Sequence, residues 1–121
     1  MDIEILSQKF CDYSLSIRGY SKHTIRRYRN VVRSYQQFAK IRDISQVSDD
    51  NVRALFYYGR TERKWSVNTF IVYHKSLLVF FRWCIKQGHM QNNPILDIEK
   101  PKMEKRLPIK LNKQASLRLL E

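Results

Sequence analysis

Lys22, Arg26, Arg29 and Arg33, followed by Gln36, recur at steps of three and four residues within YSKHTIRRYRNVVRSYQQF, residues 20–38. Such a row can neutralise a polyanion, because guanidinium groups form forked hydrogen bonds to phosphate and an ammonium adds a point charge. Ile25, Tyr28, Val32, Tyr35 and Ala39 repeat with the same period and define a face to be buried. At about 100° per residue the two rows are offset by roughly a third of a turn, so the cations border the buried face. From Lys22 to Arg33 the axis runs about 16 Å at 1.5 Å per residue, comparable to a major groove with its bordering phosphates. The stretch contains no Asp or Glu, whereas a merely solvated face mixes signs.

A second polar row, Asn68, Lys75, Arg82 and Lys86, falls on one side of a later helical pattern, away from His74. Asn68 either reads a base edge through its amide or stands in the first turn of that helix. Ser66 and Thr69 support the helix start, and Arg63 and Lys64 just before it are placed for a phosphate at an exposed helix N-terminus. His74 reads as a satisfied core histidine, and His23 and His89 as surface residues. Cys11 and Cys84 occupy apolar positions of helical patterns without CxxC or adjacent His spacing, so they read as buried free thiols, not as a zinc site or disulfide framework. Tyr57, Tyr58, Trp65 and Trp83 read as packing residues in preference to base-stacking platforms. No cofactor and no metal is expected.

The elements that must hold these rows fit one compact domain. The chain has 121 residues, 43% of them hydrophobic, enough for a single core and too few for two. Its formal charge of +12 and pI near 10.0 favour nucleic acid or an anionic membrane surface as partner. Membrane binding is the weaker reading, since no segment approaches the roughly eighteen uncharged apolar residues of a spanning helix and none has the layout of a signal peptide. A cytoplasmic protein is expected.

With three Gly, three Pro and no strand-like alternation, the pattern is all-α. A first helix is predicted from about Asp2 to Ile17, facing inward through Ile3, Leu6, Phe10, Tyr13 and Ile17, and stopped by Gly19. Ser21 caps a second, which continues to about Lys40. Ser48 caps a third, with Asp49 and Asp50 at the positive end of its dipole and Val52, Leu55 and Phe56 inward, running through Gly59 toward Glu62. Ser66 starts a fourth. Its inner face is Val67, Phe70, Ile71, His74, Leu77, Leu78, Phe81, Cys84 and Ile85, with Tyr73, Phe80 and Trp83 widening the burial, so it belongs at the centre of the bundle. From Asn92 the segment NNPILDIEKPKMEKRLPIK mixes Pro with charge and reads as a linker, with only Ile95 to Ile98 showing a short helical period. LNKQASLRLLE then begins a new pattern, and its leucines suggest the front of a further domain.

SKHTIRRYRNVV resembles the S-x-x-T-x-x-x-Y-x-x-x-(aliphatic) pattern of the second helix of tyrosine recombinases, and SVNTFIVYHKSLLVFFRWCIKQGHMQNNPILDI resembles their fourth helix with its G-x-(hydrophobic)-x-x-N-P exit. The family is the phage integrase and Xer group. The resembling part is its N-terminal core-binding domain, a SAM-like bundle of four to five helices. KRLPIKLNKQASLRLLE is similar to the family's linker into the catalytic domain. The resemblance therefore implies residues 1–99 as a helical DNA-binding domain and residues 100–121 as linker and start of a C-terminal catalytic domain. It also implies double-stranded DNA as partner, held through the second and fourth helices at the recombination core site as one half of a clamp.

The DNA-contacting set expected is Lys22, Arg26, Arg29, Arg33, Lys64, Ser66, Asn68, Lys75 and Arg82. Departures lie at the fourth helix: Val72, Tyr73 and His74 stand where relatives often carry Arg-Arg-Leu, Lys75 and Lys64 are candidate replacements, and Lys64 stands where many relatives have Gly. Nothing in the chain matches the family's catalytic Arg, Lys, His-x-x-Arg and tyrosine set, so no strand cleavage is expected of it alone. The resemblance further implies exchange in a synaptic tetramer, to which the first helix could contribute a contact or only core packing. A stand-alone RNA-binding or protein-adaptor module remains open on charge alone.

Overall fold

The computed structural model describes residues 1–101. Their helices are α1 (Ile3–Ser16), α2 (Lys22–Ala39), α3 (Asp49–Thr61) and α4 (Val67–Lys86), with 3-10 turns at Ile44–Gln46 and Pro94–Asp97 and no named strand. The sequence beyond Pro101, including the predicted linker continuation and the LNKQASLRLLE pattern, lies outside the described residues.

Each helix starts at a polar side chain that satisfies free backbone N–H groups. Asp2 accepts from the N–H of Glu4 and Ile5, Ser21 from Thr24, Ser48 from Asn51 and Ser66 from Thr69. At Ser48 the cap is reciprocal, because the Asn51 side chain accepts from the Ser48 N–H. Asn51 also donates to the Gln46 carbonyl and accepts from the Tyr35 hydroxyl, tying α2, the first 3-10 turn and α3 through one amide. At the other ends, Lys40 closes α2 at φ 57, and Gly19 and Gly88 take φ 70 and 86 after α1 and α4.

Buried faces follow the helical period with two shifts. On α2, Val31 joins Ile25, Tyr28, Val32 and Tyr35 inside, while Ala39 is only half-buried. On α4, Phe80, Trp83 and Ser76 are buried with Phe70, His74, Leu77, Phe81 and Cys84, whereas Val67, Ile71, Leu78 and Ile85 are half-buried. The seam of α4 is thus rotated toward α1 and α2, because Phe10 of α1 lodges against Phe80 and Trp83. Ile17 departs from expectation: it caps α1, past the last helical turn, and its side chain is 71% exposed.

Gly59 has a packing reason to sit inside a helix. A Cβ built there would fall 2.3 Å from the Trp65 ring, so the absent side chain is the seat of the indole. The segment after α4 also differs from a plain linker. Pro94 and Ile95 are buried in the core, Asn93 donates to the Leu78 carbonyl, and the His74 Nε2–H donates to the Ile98 carbonyl at 3.0 Å. A carbonyl only accepts, which places the proton on Nε2. Cys11 and Cys84 are free and buried, and burial pushes the Cys84 thiol up to about 12. No helix among the described residues is long and apolar enough to cross a membrane.

Two outcomes follow for stability. Gly59→Ala forces the Trp65 ring to move and is expected to cost about 1–3 kcal/mol, read as a lower thermal midpoint; combining it with Trp65→Ala should give less than the sum of the two losses. For His74, burial depresses the imidazole pKa below its ordinary value. Between that depressed value and the unfolded value near 6.5 the unfolded state binds the extra proton, so stability falls as pH drops through this window and is level above it. Denaturant midpoints from pH 5 to 8 should show this slope in the parent and a flatter one in His74→Gln; equal slopes would remove His74 as its source.

Candidate nucleic-acid interface

α2 and α4 pack against each other and run antiparallel: Ser34 and Phe38 lie beside Tyr73, while Tyr28 and Trp83 meet on the ring of Phe10. Neither helix contains a carboxylate. Among the described residues the ion pairs are the Met1 ammonium with Asp43 at 2.8 Å and Arg53 with Asp50 at 3.3 Å, so the cations of α2 and α4 have no internal counter-charge. Asp43 holds its charge well below the usual carboxylate range through bonds from the Met1 ammonium and Ser45.

Lys22, Arg26 and Arg33 are exposed on α2, as are Asn68, Lys75, Arg82 and Lys86 on α4. Lys64 is exposed in the loop before α4, and Ser66 is spent on the cap, accepting from the Thr69 N–H at 3.1 Å. Asn68 sits in the first turn with its side chain in solvent.

The α2 row borders α1. Arg29 is half-buried, its guanidinium donates to Gln8 Oε1 of α1 at 3.4 Å, and with Arg33 and Gln36 it lines a concavity of about 110 Å³ against Glu4, Ser7 and Gln8. Burial raises the neighbouring Cys11 thiol and the Arg29 charge pulls it partly back. Arg29, Arg33 and Gln36 therefore belong to the α1 flank, Arg29 half-buried and Arg33 exposed. The opposite flank, toward α3 and α4, carries Ser34, Gln37 and Phe38. Arg27, seven residues before Ser34 and exposed, shares that flank by helical spacing. It was outside the predicted row because the i, i+3, i+4 series from Lys22 skips it; counting back from Phe38 finds it.

Lys64 adopts φ 53, the left-handed region in which Gly is unstrained. A lysine held there at a cost of about 1–2 kcal/mol is strain kept at an exposed cation. His74, by contrast, is buried and linked to Ile98, which removes it from any surface role. Tyr58 and Trp65 pack as expected, on Phe38 and Tyr73, and Trp83 is buried; Tyr57 is 73% exposed and packs little.

α2 and α4 thus form an antiparallel, carboxylate-free pair packed on an aromatic core. The chain belongs to the phage integrase N-terminal SAM-like domain family, whose model matches residues 6–89. It is 31% identical over 88% of its length to the tyrosine recombinase XerD of Listeria monocytogenes, and 28% identical over 95% to that of Shewanella oneidensis. It spans 37% and 39% of those relatives. In structure it is similar to the integrase of mycobacterium phage Brujita, with a TM-score of 0.73, 21% identity, and 87% of this chain against 35% of that one.

Lys64→Gly removes the left-handed strain and adds unfolded-state freedom, for an expected net gain of about 0.5–1 kcal/mol. A thermal midpoint raised by a few degrees would bear this out; a lowered midpoint would mean that the lysine side chain, not the backbone, decides the position.

Proposed function

We propose that this chain is the DNA-holding half of a site-specific tyrosine recombinase clamp. The observation that carries this reading is the segregation of charge: α2 and α4, packed on each other, hold Lys22, Arg26, Arg27, Arg33, Lys75, Arg82 and Lys86 outward with no carboxylate on either helix. Family membership and the XerD relatives support it.

In this reading the exposed cations of α2 and α4 neutralise phosphates along duplex DNA, positioning the protein without reading sequence. Lys64 extends the row at the start of α4, Ser66 orders that start, and Asn68 is the side chain aimed at a base edge. Arg29 acts from the α1 flank and contributes less than Arg26 or Arg33. A catalytic domain following residue 100 supplies the other half of the clamp and the strand chemistry, and subunits of the full protein assemble as a synaptic tetramer in the cytoplasm. No tyrosine of this chain is assigned as the nucleophile.

If four to six phosphates are neutralised, log affinity for duplex DNA should fall with log salt at a slope of about −4 to −5. Arg26→Ala and Arg33→Ala should each flatten that slope by about one unit, and Arg29→Ala by less. Fluorescence anisotropy on duplex DNA, duplex RNA and an acidic peptide checks it. Unchanged slopes would take these arginines out of the interface, and tighter binding to RNA or peptide would favour an adaptor.

A further inference from the structure

The flank of α2 opposite the arginine-bearing α1 flank opens onto a groove of about 330 Å³, within the size range of small-ligand sites. Phe38, Tyr58, Trp65 and Tyr73 line it, together with Gln37 and Arg63, and no carboxylate is among its lining residues. All four aromatic residues are half-buried. Phe38 and Tyr58 stand 5.1 Å apart at 33°, and Trp65 and Tyr73 stack at 4.1 Å and 28°.

We propose that this groove receives one unstacked nucleotide of DNA, its base laid against the aromatic rings and its phosphate on Arg63. The inference rests on the nucleic-acid reading above and adds a second mode of contact to it. Trp65 has one face on Gly59 and the other on Tyr73, so a base joining this near-parallel stack lies on the outer face of Tyr73 and gains planar contact there. Arg63 is exposed at the groove and supplies the cation that a base tethered to phosphate requires. The Gln37 amide offers a donor and an acceptor to a base edge. Charge complementarity decides between occupants: Arg63 lines the groove, Arg27 shares its flank of α2 by helical spacing, and no carboxylate is among the lining residues. A duplex cannot deliver a base there without unpairing it, so the ligand is a single strand, a strand end or an extrahelical base.

The groove holds its own reporter. Trp65 is the groove tryptophan, and Trp83 is buried in the core with its Nε1 unpartnered, so Trp83→Phe leaves one tryptophan and removes an unsatisfied donor. The experiment titrates this variant with a paired duplex, the same duplex carrying one unpaired thymidine, and a single-stranded oligothymidylate, reading tryptophan emission. Affinities of the parent chain for the same three DNAs are measured by anisotropy, which stands independently if the variant does not fold. Expected are quenching by the unpaired-base duplex and the single strand, and about tenfold tighter binding of the unpaired-base duplex than of the paired one. Phe38→Leu should abolish that preference while leaving paired-duplex affinity unchanged.

Equal affinity for both duplexes with no base-dependent quenching overturns the groove inference and leaves the clamp reading intact. Quenching by the single strand with no duplex binding upholds the groove and overturns the clamp. Absence of binding to all three DNAs overturns both.

Discussion

The ring of Phe10 is the point on which the arrangement of helices depends. It is fully buried and lies 5.7 Å from Tyr28 of α2, 5.5 Å from Phe80 and 5.7 Å from Trp83 of α4. Aromatic contacts of this kind contribute about 0.5–1.5 kcal/mol each beyond the area they bury. Three of them converging on one side chain fix the orientation of α1 against both neighbours. Because α2 and α4 each spend their apolar seam on this cluster and on the Tyr35–Phe81 contact, their remaining faces are left for solvent or a ligand.

Those remaining faces carry a cost in helix stability. α1 and α3 place Glu4, Asp49 and Asp50 in their first turns, where carboxylates complement the positive end of the dipole. α2 and α4 have no acid in the first turn, and α2 begins instead with Lys22 and His23. Like charges three and four residues apart on α2 oppose the helix by a few tenths of a kcal/mol per pair. The two helices that forgo favourable surface charge are the two that form the proposed interface. Burial against Phe10 and the Ser21 and Ser66 caps offset what the surface gives up.

Helix number, caps and most of the core were legible because each rests on local chemistry: Ser followed by a periodic apolar run, Gly where the chain must turn left-handed, acids at a helix start. What stayed illegible depends on partners distant in sequence. Ile17 fits the α1 period but falls past the end of the helix, where no neighbour remains to cover it. Pro94 and Ile95 read as linker because Pro and charge surround them, yet the half-buried Leu78 and the buried His74 hold that segment by hydrogen bonds to Asn93 and Ile98. Gly59, an internal glycine that by propensity weakens α3, is explained only by the Trp65 indole seated in its place. The cationic row was visible as a row, but that it borders α1, with Arg27 apart on the α3/α4 flank, was not. That division is set by which neighbour each side of α2 meets, and only the Gln8 contact of Arg29 reveals it.

Along α2 the charge is graded as well as divided. Lys22 through Arg33 supply the cations, and Ser34 through Phe38 are neutral, ending in an aromatic ring. A uniform phosphate-tracking helix would gain from cations over its whole length, since each neutralised phosphate adds to affinity by the same counterion release. The stop at Arg33 coincides with the point where α2 meets Tyr58, Trp65 and Tyr73. There a further charge would lie against half-buried rings and lose hydration without a carboxylate to repay it. The same helix is thus built for two kinds of contact, ionic in its first two thirds and planar-aromatic in its last, and packing against α3 and α4 draws the boundary between them.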